Sequence, residues 1–197
     1  MVTDWVRRWS GGILIPIARF VSWTGISPNG ITLIGFGLTV AVAFLLAMGY
    51  FPLAGALLIV AAFFDGIDGA LARLLNRVTR FGAFLDSTID RFSEAALFLG
   101  LLIYYYGRGA GVEVILCYMT IIGSLMVSYT RARAEGLGIP LREGLFTRLE
   151  RMVALIAGLL LSPWVPLWFV LGLLAVLSNF TALQRIWLVW WATRESK

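Results

Sequence analysis

Long apolar runs, separated by short polar segments, extend along most of the chain. Six of the runs are long enough to cross about 30 Å of hydrocarbon as helices. They cover residues 31–50, 53–74, 84–106, 112–132, 149–163 and 165–191, and the fifth is the shortest. Turn-forming residues lie between them, as in SPNG, GYFP, GRGAG and SPWVP. The pattern predicts an all-α integral membrane fold in which six transmembrane helices form one bundle over residues 25–197.

The first 24 residues have a different pattern. Trp5, Trp9 and Ile13 recur at helical spacing, while Arg7 and Arg8 lie off that stripe. Tryptophans on one face and arginines on the other are typical of an amphipathic helix in the membrane interface. We therefore predict a juxtamembrane helix over residues 1–24, and we expect residues 1–197 to form a single membrane domain.

The composition agrees with a membrane protein and narrows its chemistry. Of the 197 residues, 60% are hydrophobic and 14% are charged, and the mean hydropathy is +0.88. Soluble domains are only about 45–50% apolar. The chain contains no histidine, and its single cysteine, Cys117, lies in an apolar run, so a disulfide framework and a zinc site of the usual ligands are excluded. We expect no nucleic-acid partner.

Basic residues are concentrated in alternate connections between the predicted helices. Fifteen of the sixteen arginines and lysines fall at or near one set of helix ends, and only Arg108 falls on the opposite side. Such an excess marks the cytoplasmic side of a membrane protein. We therefore predict a multi-pass protein of the cell membrane with both termini in the cytoplasm, and with the second helix ending at the cytoplasmic face.

Five of the eleven acidic residues lie between positions 65 and 94. Asp65 and Asp68 share one face of the second predicted helix, while Asp86, Asp90 and Glu94 recur every four residues along one face of the third. The two helices are antiparallel neighbours, so their acidic faces can meet at one depth. Carboxylates within a membrane are costly unless they point at a partner or a water-filled cavity.

A cation between the four aspartates would relieve their repulsion. Ligands that offer only oxygen favour Mg²⁺, Mn²⁺ or Ca²⁺. Two divalent ions would balance four aspartates, an arrangement common in phosphoryl chemistry. The alternative is a structural network with Arg73, Arg77, Arg80 and Arg91. Gly69 and Gly82 favour a ligand site, because glycine permits close approach of a ligand or of another backbone.

The same region resembles the signature of the CDP-alcohol phosphotransferase family, integral membrane enzymes of phospholipid synthesis. The pattern D-x2-D-G-x2-A-R-x8-G-x3-D-x3-D fits at every fixed position. These positions are Asp65, Asp68, Gly69, Ala72, Arg73, Gly82, Asp86 and Asp90. The resemblance implies a reaction in which the hydroxyl of a small alcohol displaces CMP from a CDP-linked lipid. It also favours a homodimer.

The resemblance further implies a role for each of these positions. Asp65, Asp68, Asp86 and Asp90 would bind two Mg²⁺ or Mn²⁺ ions, and Asp90 would also act as general base on the attacking hydroxyl. The CDP-lipid would lie among residues near one end of the first three helices. Those residues are Asn29, Thr32, Asp68, Gly69, Ala72, Arg73 and Gly82.

Arginines near the ends of the last three helices suggest the nature of the acceptor. Guanidinium groups bind phosphate bidentately, so a converging set favours an acceptor that already carries a phosphate. Topology alone is the alternative explanation of these charges. The segment from Ser128 to Glu135 resembles the subfamily that makes phosphatidylinositol phosphate, or its archaeal counterpart, from inositol phosphate. The resemblance implies that the acceptor phosphate is held by Ser128, Arg131, Arg148, Arg151 and Arg185.

We therefore expect an enzyme that transfers the phosphatidyl group of CDP-diacylglycerol, or the lipid of CDP-archaeol, to inositol phosphate. Glycerol 3-phosphate is the alternative acceptor. An ion-coupled transporter is the alternative from another class, because intramembrane carboxylates also mark ion pathways. The acids here cluster at one end of two adjacent helices, however, and the sequence has no visible internal repeat.

Overall fold

The computed structural model describes residues 16–194, except for positions 18, 20, 21, 24, 76 and 142. Its described residues contain six long α-helices. They are α1 (Pro28–Met48), α2 (Phe51–Leu74), α3 (Arg80–Gly107), α4 (Gly111–Glu135), α5 (Arg148–Leu160) and α6 (Leu167–Arg194). The prediction of an all-helical fold is confirmed. The predicted interfacial helix at residues 1–24 lies mostly outside the described residues.

Local capping explains where the helices that carry the site begin. The Ser27 hydroxyl accepts a hydrogen bond of 3.1 Å from the Gly30 amide at the start of α1. The Thr79 hydroxyl accepts one of 2.9 Å from the Gly82 amide at the start of α3. Thr147 and Glu150 form a capping box at the start of α5. Each cap satisfies amides that have no partner within the helix.

Four of the six described helices are long and apolar enough to cross a membrane: α1, α2, α4 and α6. The prediction of six membrane spans is therefore not supported. Helix α3 contains five charged residues, three of them in the acidic stripe that ends at Glu94. Helix α5 has 13 residues, which extend for about 20 Å, less than the thickness of the hydrocarbon core.

The helices pack as a bundle whose apolar core draws on all six of them. Helix α1 lies against α2 and α3, α4 lies against α3 and α6, and α5 packs chiefly against α2 and α6. Buried side chains such as Leu46, Phe98, Leu155 and Leu171 fill the centre. Helices α1 and α3 approach so closely that a Cβ atom on Gly100 would overlap the carbonyl oxygen of Ala43. This contact requires glycine at position 100.

Exposed tryptophans mark both ends of α6. Trp168 lies in its first turn, and Trp190 and Trp191 lie near its last turn, each about half exposed. Trp164, in the connection before α6, is also exposed. Tryptophan side chains are enriched where a membrane meets water, so their arrangement is typical of a helix that crosses a bilayer.

Candidate active site

The acidic faces of α2 and α3 meet at one end of the bundle, and an arginine from α5 joins them. Nη2 of Arg148 lies 2.7 Å from Oδ2 of Asp65, and Nη1 lies 2.9 Å from Oδ1 of Asp90. The structure therefore brings Asp65 and Asp90 together through one guanidinium. Nε of Arg148 is buried without a hydrogen-bond partner.

The other two aspartates of the cluster make no ion pair among the described residues. Asp68 is buried, and its Oδ2 accepts a hydrogen bond of 2.6 Å from the Thr32 hydroxyl. Its Oδ1 accepts one from the amide of Gly69. Asp86 lies with Asp68 on the wall of one cavity. Four carboxylates thus share one region in which Arg148, with Arg91 at 3.9 Å from Asp90, supplies the positive charge.

A divalent cation fits this donor set in chemistry and in charge, although the ligands are not arranged as a finished site. Carboxylate oxygens are the ligands that Mg²⁺ and Mn²⁺ prefer. Among the described residues, no three acidic side chains converge on one point as a metal site requires. Arg148 lies between Asp65 and Asp90 instead, so these two carboxylates face a cation that belongs to the protein.

A cavity of about 430 Å³ opens beside Asp68 and Asp86, among the ends of α1, α2 and α3. All seven residues that the sequence analysis assigned to the CDP-lipid line it. They are Asn29, Thr32, Asp68, Gly69, Ala72, Arg73 and Gly82. The structure thus brings together residues from three helices that are up to 53 positions apart in the sequence.

The glycines of this cavity leave space that a side chain would occupy. A Cβ atom on Gly82 would lie 3.0 Å from Oγ1 of Thr79 and 3.2 Å from Oδ1 of Asn29. A Cβ atom on Gly69 would meet only the Arg73 guanidinium, at 3.6 Å. Position 82 therefore tolerates a larger residue less well than position 69 does.

The five residues predicted for the acceptor phosphate are distributed over several environments. Arg148 lies in the carboxylate cluster. Arg131 is exposed and pairs with Glu135 at 2.9 Å, one turn further along α4. Ser128 lines a second cavity, of about 670 Å³, between α3 and α4. These three side chains therefore do not line one common pocket.

The other two arginines of this set are buried. Arg185 is 3% exposed and donates to the carbonyl oxygens of Val127 and Glu143. Arg151 is fully buried, and its Nε and Nη2 donate to the two carboxylate oxygens of Glu94, at 2.6 and 2.8 Å. Glu94 thus balances the charge of Arg151, whereas the two recorded partners of Arg185 are neutral carbonyl groups.

Sequence reasoning missed the true partners of two acids. The alternative network of Arg73, Arg77 and Arg80 is not seen for Asp65, whose partner Arg148 is 83 positions away. The sequence places Glu94 in the acidic stripe but does not identify Arg151 as its partner. The continuation of the stripe at the same spacing as Asp86 and Asp90 was the available signal.

A third cavity, of about 320 Å³, is lined by residues of α1, α2, α3 and α5. Asp65 and Arg148 form its charged end, and Thr39 and Ser93 add hydroxyl groups. Its remaining lining is apolar, from α2, α3 and α5: Leu58, Ala61, Ala62, Leu97, Leu149 and Met152.

The fold and the cluster define an all-helical membrane protein with a polar site at one end of its bundle. Residues 25–193 match the CDP-alcohol phosphatidyltransferase family, and the chain therefore belongs to that family. The resemblance seen in the eight-position signature is confirmed.

Relatives with assigned functions cover most of the chain. The archaetidylinositol phosphate synthase of Pyrococcus horikoshii is 39% identical over 173 residues, which are 87% of this chain and 87% of the relative. The crystal structure of Mycobacterium tuberculosis phosphatidylinositol phosphate synthase with CDP-DAG bound matches with a TM-score of 0.83 and 37% identity. That match covers 90% of this chain and 94% of the other.

A second crystal structure of the M. tuberculosis enzyme contains a metal ion. It is a complex with manganese and citrate, and it matches with a TM-score of 0.83 and 36% identity over 90% of this chain and 88% of the other. A relative with this fold therefore accepts a divalent metal ion.

Proposed function

We propose that this protein transfers the phosphatidyl group of a CDP-linked lipid to a hydroxyl of inositol phosphate, releasing CMP. The observation that carries the proposal is the cavity of about 430 Å³, which the predicted CDP-lipid residues, Asp68 among them, line together with Asp86. The relatives named for phosphatidylinositol phosphate or archaetidylinositol phosphate synthesis support the choice of acceptor. The lipid is CDP-diacylglycerol or CDP-archaeol.

Asp65, Asp68, Asp86 and Asp90 would hold two Mg²⁺ or Mn²⁺ ions. When bound, such ions neutralise charge on a diphosphate as its bond to CMP breaks. The manganese complex of the M. tuberculosis relative supports this proposal. Arg148 would have to turn away from Asp65 or Asp90 before that carboxylate could ligate a metal, because its guanidinium contacts both.

Each side chain of the site would then have its own role in the reaction. Asp90 accepts the proton of the acceptor hydroxyl, whose oxygen forms a bond to the lipid phosphate. The phosphoanhydride bond to CMP breaks, and CMP leaves with the bonding electrons. Thr32 keeps Asp68 in one orientation through its hydrogen bond of 2.6 Å. Asn29, Gly69, Ala72, Arg73 and Gly82 hold the nucleotide.

The acceptor phosphate would be bound by Arg185. Arg148, Arg131 and Ser128 would be further contacts only after they move, because they do not line one pocket in this structure. Arg185 supports this role best, because it is buried and its recorded partners are neutral carbonyl groups. An anion is a suitable partner for such a guanidinium. We leave Arg151 out of this set, since Glu94 already engages two of its nitrogens.

The excess of basic residues at one set of helix ends supports a location of the site on the cytoplasmic side of the cell membrane. The family resemblance supports a homodimer. Both are proposals that topology mapping and cross-linking can test.

Purified protein in detergent or in liposomes provides the decisive test. With CDP-diacylglycerol, Mn²⁺ or Mg²⁺ and inositol 1-phosphate, it should release CMP, and EDTA should stop the release until metal is restored. Omission of inositol phosphate is the control for simple hydrolysis. Faster turnover with glycerol 3-phosphate would overturn the acceptor and leave the reaction class intact. Failure to release CMP with any acceptor would overturn the proposal.

A further inference from the structure

Glu94 and Arg151 form a buried ion pair near the proposed active site. Their side chains are 4% and 0% exposed, and two nitrogens of the guanidinium meet the two carboxylate oxygens at 2.6 and 2.8 Å. Nη1 of Arg151 donates in addition to the carbonyl oxygen of Phe146, at 3.2 Å. The pair therefore joins α3, α5 and the segment before α5.

The pair repeats, one turn further along, the contact made in the carboxylate cluster. Glu94 follows Asp90 by four residues on α3, and Arg151 follows Arg148 by three residues on α5. Residues at these spacings lie on the same face of a helix. Two ion pairs, Asp90 with Arg148 and Glu94 with Arg151, thus connect the same faces of the same two helices.

These two ion pairs link α3 directly to α5. The backbone of α5 packs chiefly against α2 and α6, and it makes no extensive contact with α3. Long side chains therefore cross the gap between the two helices. Because the first pair also involves Asp65 and its side chains are 31% and 17% exposed, the second pair, which is almost fully buried, is better suited to fix the spacing.

A buried ion pair contributes little net stability, because desolvation of both charges offsets their attraction. It does constrain geometry, since either charge without its partner would be strongly unfavourable. Arg148 needs such a constraint: its Nη1 and Nη2 bind two carboxylates from different helices, and its Nε is buried with no partner.

We propose that Glu94 is a positioning residue, which acts with Arg151 to hold the start of α5 against α3 and so keeps Arg148 beside the carboxylate cluster, where it can bind the acceptor phosphate once metal occupies the carboxylates. In this assignment, Arg151 acts through Glu94 and does not bind the acceptor phosphate. The inference rests on the proposed function, because it is through Arg148 that the pair would affect the reaction.

Six variants test the proposal: Glu94→Gln, Arg151→Met, the double variant of these two, Arg148→Gln, and Arg148→Gln combined with each of the first two substitutions. Steady-state CMP release gives kcat and the KM for inositol 1-phosphate and for CDP-diacylglycerol. We expect Glu94→Gln and Arg151→Met to lower kcat/KM by about tenfold to a hundredfold, the cost of misplacing a group at a reaction centre. Glu113→Gln, the same substitution at the start of α4 and at the opposite end of the bundle, should leave kcat and both KM values unchanged.

The combinations separate positioning from direct binding. Because all the effects pass through Arg148, adding either single substitution to Arg148→Gln should change kcat/KM less than about twofold. The double variant should be no worse than either single variant. The proposal would be overturned if the losses in kcat/KM multiplied when the substitutions were combined. It would also be overturned if Arg151→Met raised the KM for inositol phosphate and Glu94→Gln did not, because Arg151 would then be a direct ligand.

Two features keep the test decisive. The double variant leaves no buried unpaired charge, so it should fold even if a single variant does not. Hydrogen exchange supplies a readout without turnover: the hydrogen-bonded amides at positions 151–155 should exchange faster in the double variant than in the wild type or in Glu113→Gln. If the wild type releases no CMP, the proposed function fails while exchange still reports on the pair. Unchanged exchange would overturn the positioning role.

Discussion

Thr32 of α1 donates a hydrogen bond of 2.6 Å to Asp68 of α2, although the two residues are 36 positions apart. Both side chains are buried, and both line the cavity proposed for the CDP-lipid. The start of α1 therefore controls the orientation of a carboxylate on the neighbouring helix. This contact relates the segment SPNGIT to the acidic cluster in physical terms.

Replacing Thr32 by Val should weaken the site without emptying the space. The substitution removes the hydrogen bond to Asp68 and keeps the branched shape, and a hydrogen bond to a charged group contributes about 1.5–3 kcal/mol. We expect kcat/KM for CDP-diacylglycerol to fall about tenfold or more. Thr32→Ser, which keeps the hydroxyl, is the matched control. Equal kinetics for the Val and Ser variants would show that the hydrogen bond has no functional role.

A methyl group at position 82 should hinder the nucleotide. In Gly82→Ala, the new Cβ would lie 3.2 Å from the Asn29 side chain and would narrow the cavity that both residues line. We expect a severalfold higher KM for CDP-diacylglycerol, with little change in the KM for inositol phosphate. Gly37→Ala is the control, because no atom lies within 4 Å of the Cβ position there. An unchanged KM would place the nucleotide elsewhere.

Asp90→Asn should remove the proposed general base while preserving size. General-base catalysis contributes typically about 10²–10⁴-fold, so kcat should fall by that range. CDP-diacylglycerol should still protect the variant against thermal unfolding, because Asp90 does not line the nucleotide cavity. A variant with full activity would exclude Asp90 as the base.

Arg185→Ala should affect the acceptor more than the donor lipid. Loss of a charge-assisted contact to phosphate should raise the KM for inositol 1-phosphate about tenfold or more. Arg133→Ala provides a control, since Arg133 is an exposed arginine near the end of α4. Equal changes in both KM values would argue against a dedicated acceptor pocket at Arg185.

The sequence predicted the helices well because apolar runs and their capping residues are local signals. All six predicted runs correspond to helices, and the observed starts at Pro28 and Arg80 follow from the caps at Ser27 and Thr79. The predicted number of membrane spans is too high. The length of an apolar run alone takes no account of the charged residues in the first half of α3, and it does not show that α5 ends after 13 residues.

The contents of the site were predictable only where spacing along one helix determines them. Asp65 and Asp68 share a face by geometry alone, and so do Asp86 and Asp90. The contact of Arg148 with Asp65 and that of Arg151 with Glu94 depend on how α5 packs, and no local pattern specifies that packing. Only the structure therefore reveals these long-range ion pairs.

The exposed tryptophans of α6 indicate how deep in the membrane the proposed acceptor site would lie. Trp168 and Trp190 are about 33 Å apart along the helix axis, close to the thickness of a hydrocarbon core. Arg185 lies five residues before Trp190, which places it about 7 Å inward from that ring. If Arg185 binds the acceptor phosphate, as we propose, a water-soluble sugar phosphate would have to pass below the level of the lipid headgroups through a hydrated passage. Donor and product lipids, by contrast, would remain in one leaflet throughout a turnover.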